Sequence, residues 1–303
     1  MDAEKKTAAT AAWGSDCAAG TGTEGGKRRY RRVLSIAGSD CSGGAGVQAD
    51  IKTISACGCY AMSAITALVA ENTVGVQAIH SAPVDFVLQE IRSCLDDIGA
   101  DAIKIGMLDS PELIRGVAEL LQARYPEIPV VLDPVMVAQS GDRLIPDDAA
   151  EALKTGLVSI ACVITPNLPE AEVLLGRPIR TVAELEGAAR ELCERLGCRN
   201  ALVKGGHLEG AVSDDTLHLG AEGRCVAFPT ARIATKNNHG TGCTLSSAIA
   251  SFLAKGLPVE DAVREAKHYI TEAIRTGAAY EIGHGHGPVC HFWATWGAGR
   301  PDA

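Results

Sequence analysis

From residue 31 onward the chain alternates short apolar runs with longer amphipathic segments, and few folds accept that alternation. Apolar runs without internal polarity suit strands buried on both faces, and such strands need helices above and below them. The strand candidates are Val33 to Ala37, Ser63 to Val69, Ala102 to Ile105, Val130 to Leu132, Cys162 to Thr165 and Ala201 to Lys204. Helical patterns fall near 44–57, 83–98, 111–124, 146–157, 168–175 and 181–196, with Ser110-Pro111-Glu112 and Thr181 as N-terminal signals. Asp215 to Leu219 and Arg224 to Phe228, joined by Gly220-Ala-Glu-Gly223, read as a hairpin, and helices near 241–255 and 259–276 follow it directly. The expected architecture is a three-layer α/β/α sandwich whose central, mostly parallel sheet gains one antiparallel edge.

A chain of 303 residues with 47% hydrophobic content can bury one large core, assigned here to a single domain over 31–303. Residues 1–30 are rich in Ala, Gly, Thr and charge without apolar periodicity, and are expected to form a disordered extension. They show neither the apolar segment of a signal peptide nor the acid-poor character of a mitochondrial leader, so a cytoplasmic protein is expected. A net charge of −9 argues against nucleic acid or an anionic membrane as partner, and no apolar stretch is long enough to span a bilayer. The expected partner is a small molecule. The 11 cysteines are odd in number and scattered, which argues against a disulfide framework; most read as small buried hydrophobes.

Ligands of open α/β sheets gather at the carboxyl ends of the strands. Gly38-Ser-Asp-Cys-Ser-Gly-Gly-Ala-Gly46 follows the first strand. It lacks the lysine of a Walker loop, but Gly44-Ala-Gly46-Val-Gln-Ala49 matches a dinucleotide fingerprint, with Glu71 at the expected distance beyond. A loop closing over a small substrate is the competing reading. Later strands deliver Glu71, Lys104 to Met107, Asp133, Asn167 with Glu170, and Lys204 with Gly206 and His207. Asn167 and Glu170 offer oxygen to a hard cation such as Mg2+, and Lys204 offers a point charge to phosphate; a simple helix cap at Asn167 and a turn at Asp133 are the plain alternatives. In Thr235-Lys-Asn-Asn-His-Gly-Thr-Gly-Cys243, glycines and a thiol open a helix, where unpaired amides and the helix dipole attract anions. A plain glycine-rich turn before a buried helix would look the same.

Ala37-Gly-Ser-Asp-Cys-Ser-Gly-Gly-Ala-Gly-Val-Gln-Ala-Asp50, Lys104-Ile-Gly-Met-Leu108, Thr165-Pro-Asn-Leu-Pro-Glu-Ala171, Val203-Lys-Gly-Gly-His207 and His239-Gly-Thr-Gly-Cys-Thr-Leu-Ser246, together with Ile65 to Thr73, resemble hydroxymethylpyrimidine/phosphomethylpyrimidine kinases of thiamine biosynthesis. The resemblance runs in order over roughly residues 31–293. It implies a ribokinase-like fold, a homodimer, and phosphorylation of 4-amino-5-hydroxymethyl-2-methylpyrimidine and then of its monophosphate by ATP with Mg2+. Carried over, Gly38, Asp40, Ala45, Val69, Glu71, Met107 and Val135 should bind the pyrimidine. Asn167, Lys204, Gly206, His207 and Thr235 should bind ATP, and Glu170 and Asp133 the metal. Gly240, Thr241, Gly242 and Cys243 should form the transfer site, with Cys243 as base where related sugar kinases use aspartate. A thiol at a helix N-terminus is expected to have a lowered pKa.

Two departures stand out. Glu71 replaces the family's usual glutamine, and Asn238 stands where threonine is frequent. A carboxylate only accepts hydrogen bonds, so Glu71 must be protonated or meet a protonated ring nitrogen to read an aminopyrimidine. Glu71→Gln is then expected to keep or improve pyrimidine use. Pyridoxal kinase with the same cysteine turn is the nearest alternative, and a nicotinamide-dependent oxidoreductase the remote one. The tail His284-Gly-His286-Gly-Pro-Val-Cys-His291 lacks metal-ligand spacing and reads as a loop closing near the site, without structural zinc.

Overall fold

The apolar runs form the inner strands of one nine-stranded sheet in the computed structural model, which describes residues 23–24, 27–136, 147–206 and 212–296. The strands are β1 (Arg32–Asp40), β2 (Tyr60–Asn72), β3 (Gly75–Ser81), β4 (Ala102–Ile105), β5 (Val130–Leu132), β6 (Val163–Ile164), β7 (Asn200–Lys204), β8 (Val212–Leu219) and β9 (Arg224–Ala231). The helices are α1 (Gly46–Ala56), α2 (Val84–Asp97), α3 (Pro111–Arg124), α4 (Asp147–Ala152), α5 (Leu168–Leu175), α6 (Val182–Leu196), α7 (Thr241–Ala254), α8 (Val259–Gly277) and the short α9 (Trp293–Trp296). Across the sheet the order is β9-β8-β7-β6-β5-β4-β1-β2-β3. The inner strands from β7 to β2 are parallel, while β8–β9 and β3 are antiparallel.

Alternate residues of the inner strands point to opposite faces, so each face has its own core. Ile36, Ile103, Ile105, Leu132 and Val203 pack with Ile91, Val117, Leu174 and Leu192 of α2, α3, α5 and α6. Val33, Ala102, Val131, Val163 and Leu202 pack on the other face with Ile54, Ile249, Val263 and Ile270 of α1, α7 and α8. The three layers expected from the sequence are present.

Both sheet edges are antiparallel, not one: β3 pairs with β2. Its residues are mostly exposed, so Gly75–Ser81 carries none of the apolar continuity that marks an inner strand. The helix expected over 146–157 is α-helical only to Ala152, then passes through a π turn over Leu153–Leu157 and a 3-10 turn over Val158–Ile160. Thr155 Oγ1 donates back to the carbonyls of Glu151 and Ala152, and Gly156 adds backbone freedom, so the regular ladder loosens there. The helix signals elsewhere hold: Ser110 Oγ accepts from Leu113 N at 3.2 Å with Pro111 in the first turn. Of residues 1–30, residues 1–22 and 25–26 lie outside the described residues, while Thr23–Glu24 pairs with Lys27–Arg28. No described helix is long and apolar enough to cross a membrane.

Candidate active site

β1 lies where strand order reverses, with β2 on one side and β4 on the other, and ligands of such sheets bind at that crevice. The strand ends there enclose a cleft of about 640 Å³. Gly38, Asp40, Ala45, Val69, Glu71, Met107 and Val135 line it, as do Asp133, Asn167, Glu170, Lys204, Gly206, Thr235, Thr241, Gly242 and Cys243. Gly240 stands behind this lining, and His207 lies outside the described residues.

A register shift between Ala37 and Ser39 lets β1 bend at Gly38 and carry Asp40 into the glycine-rich loop. Asp40 Oδ1 accepts Ser42 N at 2.8 Å. Its Oδ2 accepts Ser42 Oγ at 3.0 Å, Gly44 N at 3.0 Å, Ala45 N at 2.7 Å and His239 Nε2 at 2.9 Å. Burial pushes this carboxyl up, but the donors, His239 first, hold it well below the usual carboxylate range. The dinucleotide reading fails on this geometry, because the loop amides a pyrophosphate would need already serve Asp40.

The two glycine turns touch backbone to backbone. A Cβ on Gly240, whose φ is +76°, would lie 1.8 Å from the Gly44 carbonyl oxygen, and one on Gly46 would lie 2.4 Å from that of Gly38. Gly240→Ala is therefore expected to lower the unfolding temperature by several degrees, with about 1–2 kcal/mol lost to the left-handed backbone alone. An unchanged melting curve would reject this close approach.

Gly240 caps α7 without any side-chain hydrogen bond; Thr241 N donates to Asn238 O at 3.4 Å, which leaves the amides of Gly242 and Cys243, both cleft-lining residues, without a side-chain cap. Beside that turn, Lys204 Nζ donates to Asp133 Oδ1 at 3.0 Å, and Thr165 Oγ1 donates to the same oxygen at 3.0 Å. A Cβ on Gly242 would lie 3.3 Å from Asp133 Oδ2 and 3.4 Å from Lys204 Nζ, so the turn runs directly beside the pair. Asn167 and Glu170 form a reciprocal cap on α5: Asn167 Oδ1 accepts Glu170 N at 2.9 Å, and Glu170 Oε2 accepts Asn167 N at 2.7 Å. The cap reading of Asn167 holds, and the residue also lines the cleft. Burial, aided by Asp133 and opposed by Lys204, pushes the Glu170 carboxyl up to about 7. A buried carboxyl near Asp133 gains from a cation, so the pair fits Mg2+ chemically.

Cys243 departs from expectation. Burial pushes its thiol up to about 11, with Asp50 and Asp133 adding to the rise and Lys104 and the Gly46 amide opposing it. Desolvation outweighs the helix terminus, so the sulfur is a thiol at neutral pH. Beneath it, Lys104 Nζ contacts both Asp50 oxygens at 2.9 and 2.8 Å, and Ser35 Oγ and Ser247 Oγ donate to the same carboxylate at 2.6 and 2.8 Å.

Sequence reading named Lys104 and His239 without giving them a role, and missed other lining residues: Arg232 and the α8 side chains Lys267, Ile270, Thr271 and Ile274. The α8 set repeats at helical spacing and looks like an ordinary core stripe, but it also walls the cleft. Lys267 Nζ bonds Asp215 Oδ2 at 2.7 Å, and Asp215 Oδ1 accepts Gly205 N at 3.0 Å, fixing the end of β7 to α8. The tail closes nearby, as expected. His284 N and Gly285 N donate to Thr73 Oγ1 at 3.2 and 3.1 Å, and His239 N donates to Gly287 O at 3.0 Å. Asn238 Oδ1 meets His286 Nδ1 at 3.0 Å, a contact that gives this departure a local role.

Residues 40–290 match the family described as phosphomethylpyrimidine kinase. The chain belongs to that family. The hydroxymethylpyrimidine/phosphomethylpyrimidine kinase of Escherichia coli is 47% identical over 265 residues, covering 87% of this chain and 98% of that one. The thiamine biosynthesis bifunctional protein ThiED of Geobacter sulfurreducens is 48% identical over 262 residues, 86% of this chain, which spans 52% of that longer protein. Among solved structures, phosphomethylpyrimidine kinase of Clostridium difficile superposes with a TM-score of 0.71 at 42% identity, covering 80% of this chain and 99% of that one. The ADP complex of Bacillus subtilis pyridoxal kinase gives 0.79 at 34% identity, covering 87% and 98%. Fold and kinase family agree with the resemblance seen in the motifs.

Proposed function

We propose that this chain phosphorylates 4-amino-5-hydroxymethyl-2-methylpyrimidine, and then its monophosphate, with ATP in thiamine biosynthesis. The observation that carries this reading is one cleft that joins the uncapped Gly240–Cys243 turn to the wall formed by Glu71, Met107 and Val135. The turn amides receive charge on the transferring phosphoryl, and Lys204 adds a point charge beside them. The thiolate form of Cys243, a minor species at neutral pH that Lys104 favours, takes the proton of the attacking hydroxyl. Asn167, Gly206 and Thr235, with His207, hold ATP, next to the apolar surface of Ile270 and Ile274. Mg2+, held by Glu170 and Asp133, neutralises phosphate charge when bound. The exposed apolar side chains Leu68, Val74 and Ile79 on the β2–β3 edge suit a second copy, in keeping with a homodimer. A cytoplasmic single domain over 31–303, with 1–30 as an extension, completes the reading.

Pyridoxal is the second candidate substrate, favoured by the closer superposition on pyridoxal kinase and by Glu71 in place of glutamine. Purified protein given Mg-ATP and equimolar hydroxymethylpyrimidine and pyridoxal should yield pyrimidine mono- and diphosphate, identified by mass. Pyridoxal phosphate alone would transfer the assignment to pyridoxal, and no product would remove the kinase reading.

A further inference from the structure

Three segments distant in sequence meet at one imidazole. Asp40 ends β1, Glu71 lies near the end of β2, and His239 precedes the α7 turn. One donor atom from each of the three lies within 4.8 Å of the other two. His239 Nε2 donates to Asp40 Oδ2 at 2.9 Å, with both side chains nearly sealed from water at 7% and 3% exposure. The ring lies against the loop it serves, for a Cβ on Gly44 would be 2.3 Å from His239 Cδ2. The next residue, Gly240, is the one whose backbone abuts the Gly44 carbonyl.

Asp40 Oδ2 is already surrounded by Ser42 Oγ, Gly44 N, Ala45 N and His239, which leaves it little capacity for a metal ion. The group fits a different task. We propose that Glu71 is a positioning residue for phosphoryl transfer: its carboxylate sustains a charged His239, and the carboxylate–imidazolium–carboxylate clamp ties the substrate loop to the Gly240–Cys243 turn. The proposal rests on the kinase reading above. It gives the carboxylate at position 71 a role that glutamine, being neutral, cannot fill, so Glu71→Gln is expected to slow the reaction between the two His239 titrations, in place of the gain expected from the sequence alone.

Burial of the ring favours the neutral form, but the Asp40 hydrogen bond and the Glu71 and Asp40 charges outweigh it, so His239 holds its proton above the ordinary histidine range. Among the described residues, Glu71 and Asp40 are the carboxylates that act on His239, and the neighbouring polar groups are otherwise engaged. Lys52 Nζ from α1 is bonded to Gly43 O at 2.7 Å. Burial pushes His291 down to about 3, so it stays neutral, with Nε2 on Thr244 Oγ1 at 3.1 Å. Cys41 Sγ donates to the Glu71 carbonyl at 3.2 Å, and His286 meets Asn238. Because the folded-state affinity for the proton is raised, the clamp is complete at low pH and is lost as pH rises through the His239 titration.

The test uses the full chain as wild type, Glu71→Gln, Glu71→Asp and His239→Gln. Histidine-labelled protein gives the imidazole shifts against pH, with His239 assigned by its absence in His239→Gln. In Glu71→Gln the His239 titration should move to lower pH, and in Glu71→Asp, which keeps the charge, it should move less. The wild-type to Glu71→Gln ratio of kcat for pyrimidine phosphorylation should hold one constant value at acid pH, where His239 is charged in both proteins. It should rise between the two titrations, and any ionisation common to both proteins cancels in it. With histidine 239 replaced by glutamine in both proteins, that rise should vanish. An unmoved His239 titration in Glu71→Gln overturns the proposal whatever the substrate, and so does a moved titration with a flat ratio. Should Glu71→Gln not fold, Glu71→Ala in its place carries the same expectations. Absence of all phosphorylated product would instead remove the kinase reading, while the titration remains decisive for the charge pairing.

Discussion

Cys243→Ala is expected to lower kcat by about 100-fold to 10,000-fold, the range over which a positioned proton acceptor contributes. The substituted protein should still fold, because the change removes one sulfur and with it a single weak acceptor for the Gly46 amide, and its KM for ATP should change little. Cys243→Ser separates the two roles a sulfur can play there. A hydroxyl occupies similar space but ionises far less readily, so Ser should remain close to Ala in rate if proton transfer is the role. Near-wild-type turnover in Cys243→Ser would instead assign orientation alone. Burial raises the thiol to about 11, so the acceptor role carries a pH signature: wild-type turnover contains a component that grows with alkalinity and that Cys243→Ala lacks. Equal pH profiles in the two proteins would remove Cys243 as base.

Lys104→Met is expected to cost about 3–5 kcal/mol of stability, since it leaves a carboxylate uncompensated in the core. Both partners of the Lys104–Asp50 pair are 0% exposed, and Asp50 would retain only the Ser35 and Ser247 hydroxyls. Lys104→Met with Asp50→Leu should recover much of that loss, because removing both charges avoids the stranded one. Urea unfolding of the two single variants and the double measures this directly. Additive losses in the double would show that the charges do not depend on each other. The pair also bears on catalysis, because Lys104 is the group that lowers the Cys243 thiol against its burial. Asp50 raises the same thiol, so Lys104→Met alone should slow turnover more than the double variant does, a difference measured where both proteins are folded.

The inner strands and most helices were legible because a strand buried on both faces has no choice but to be apolar, and helix caps leave local signs. Ser110, Asn167 and Thr181 each announced a helix within one residue of its start. Edge strand β3 was not legible, since a half-solvated strand carries the mixed composition of a loop. The site residues at strand ends were readable from motifs, but their charge states were not. Cys243 looked activated when only the helix terminus was considered, and burial reversed that direction. Lys104 was placed at a strand end but given no role, because lysine is so seldom buried. One sign of it was present: Asp50 shares the buried face of α1 with Val47 and Ile54, and a carboxylate in an apolar stripe calls for a cation from another element. The Glu71–His239 contact has no local sign at all, because its partners are brought together only by the fold.

The bond between Asp40 and His239 spans 199 positions of the chain. Closing a loop of that length is costly before any contact rewards it, and such pairings form late relative to helices and neighbouring strands. A ribosome has released most of β1 through β9 before His239 exists to meet Asp40. The catalytic centre is thus among the last parts of the molecule that can assemble, and partly made or truncated chains hold the glycine-rich loop without its counterpart. Competence to transfer a phosphoryl group then requires that the chain has been made and folded at least through the α7 turn, which keeps molecules that end before it from consuming nucleotide.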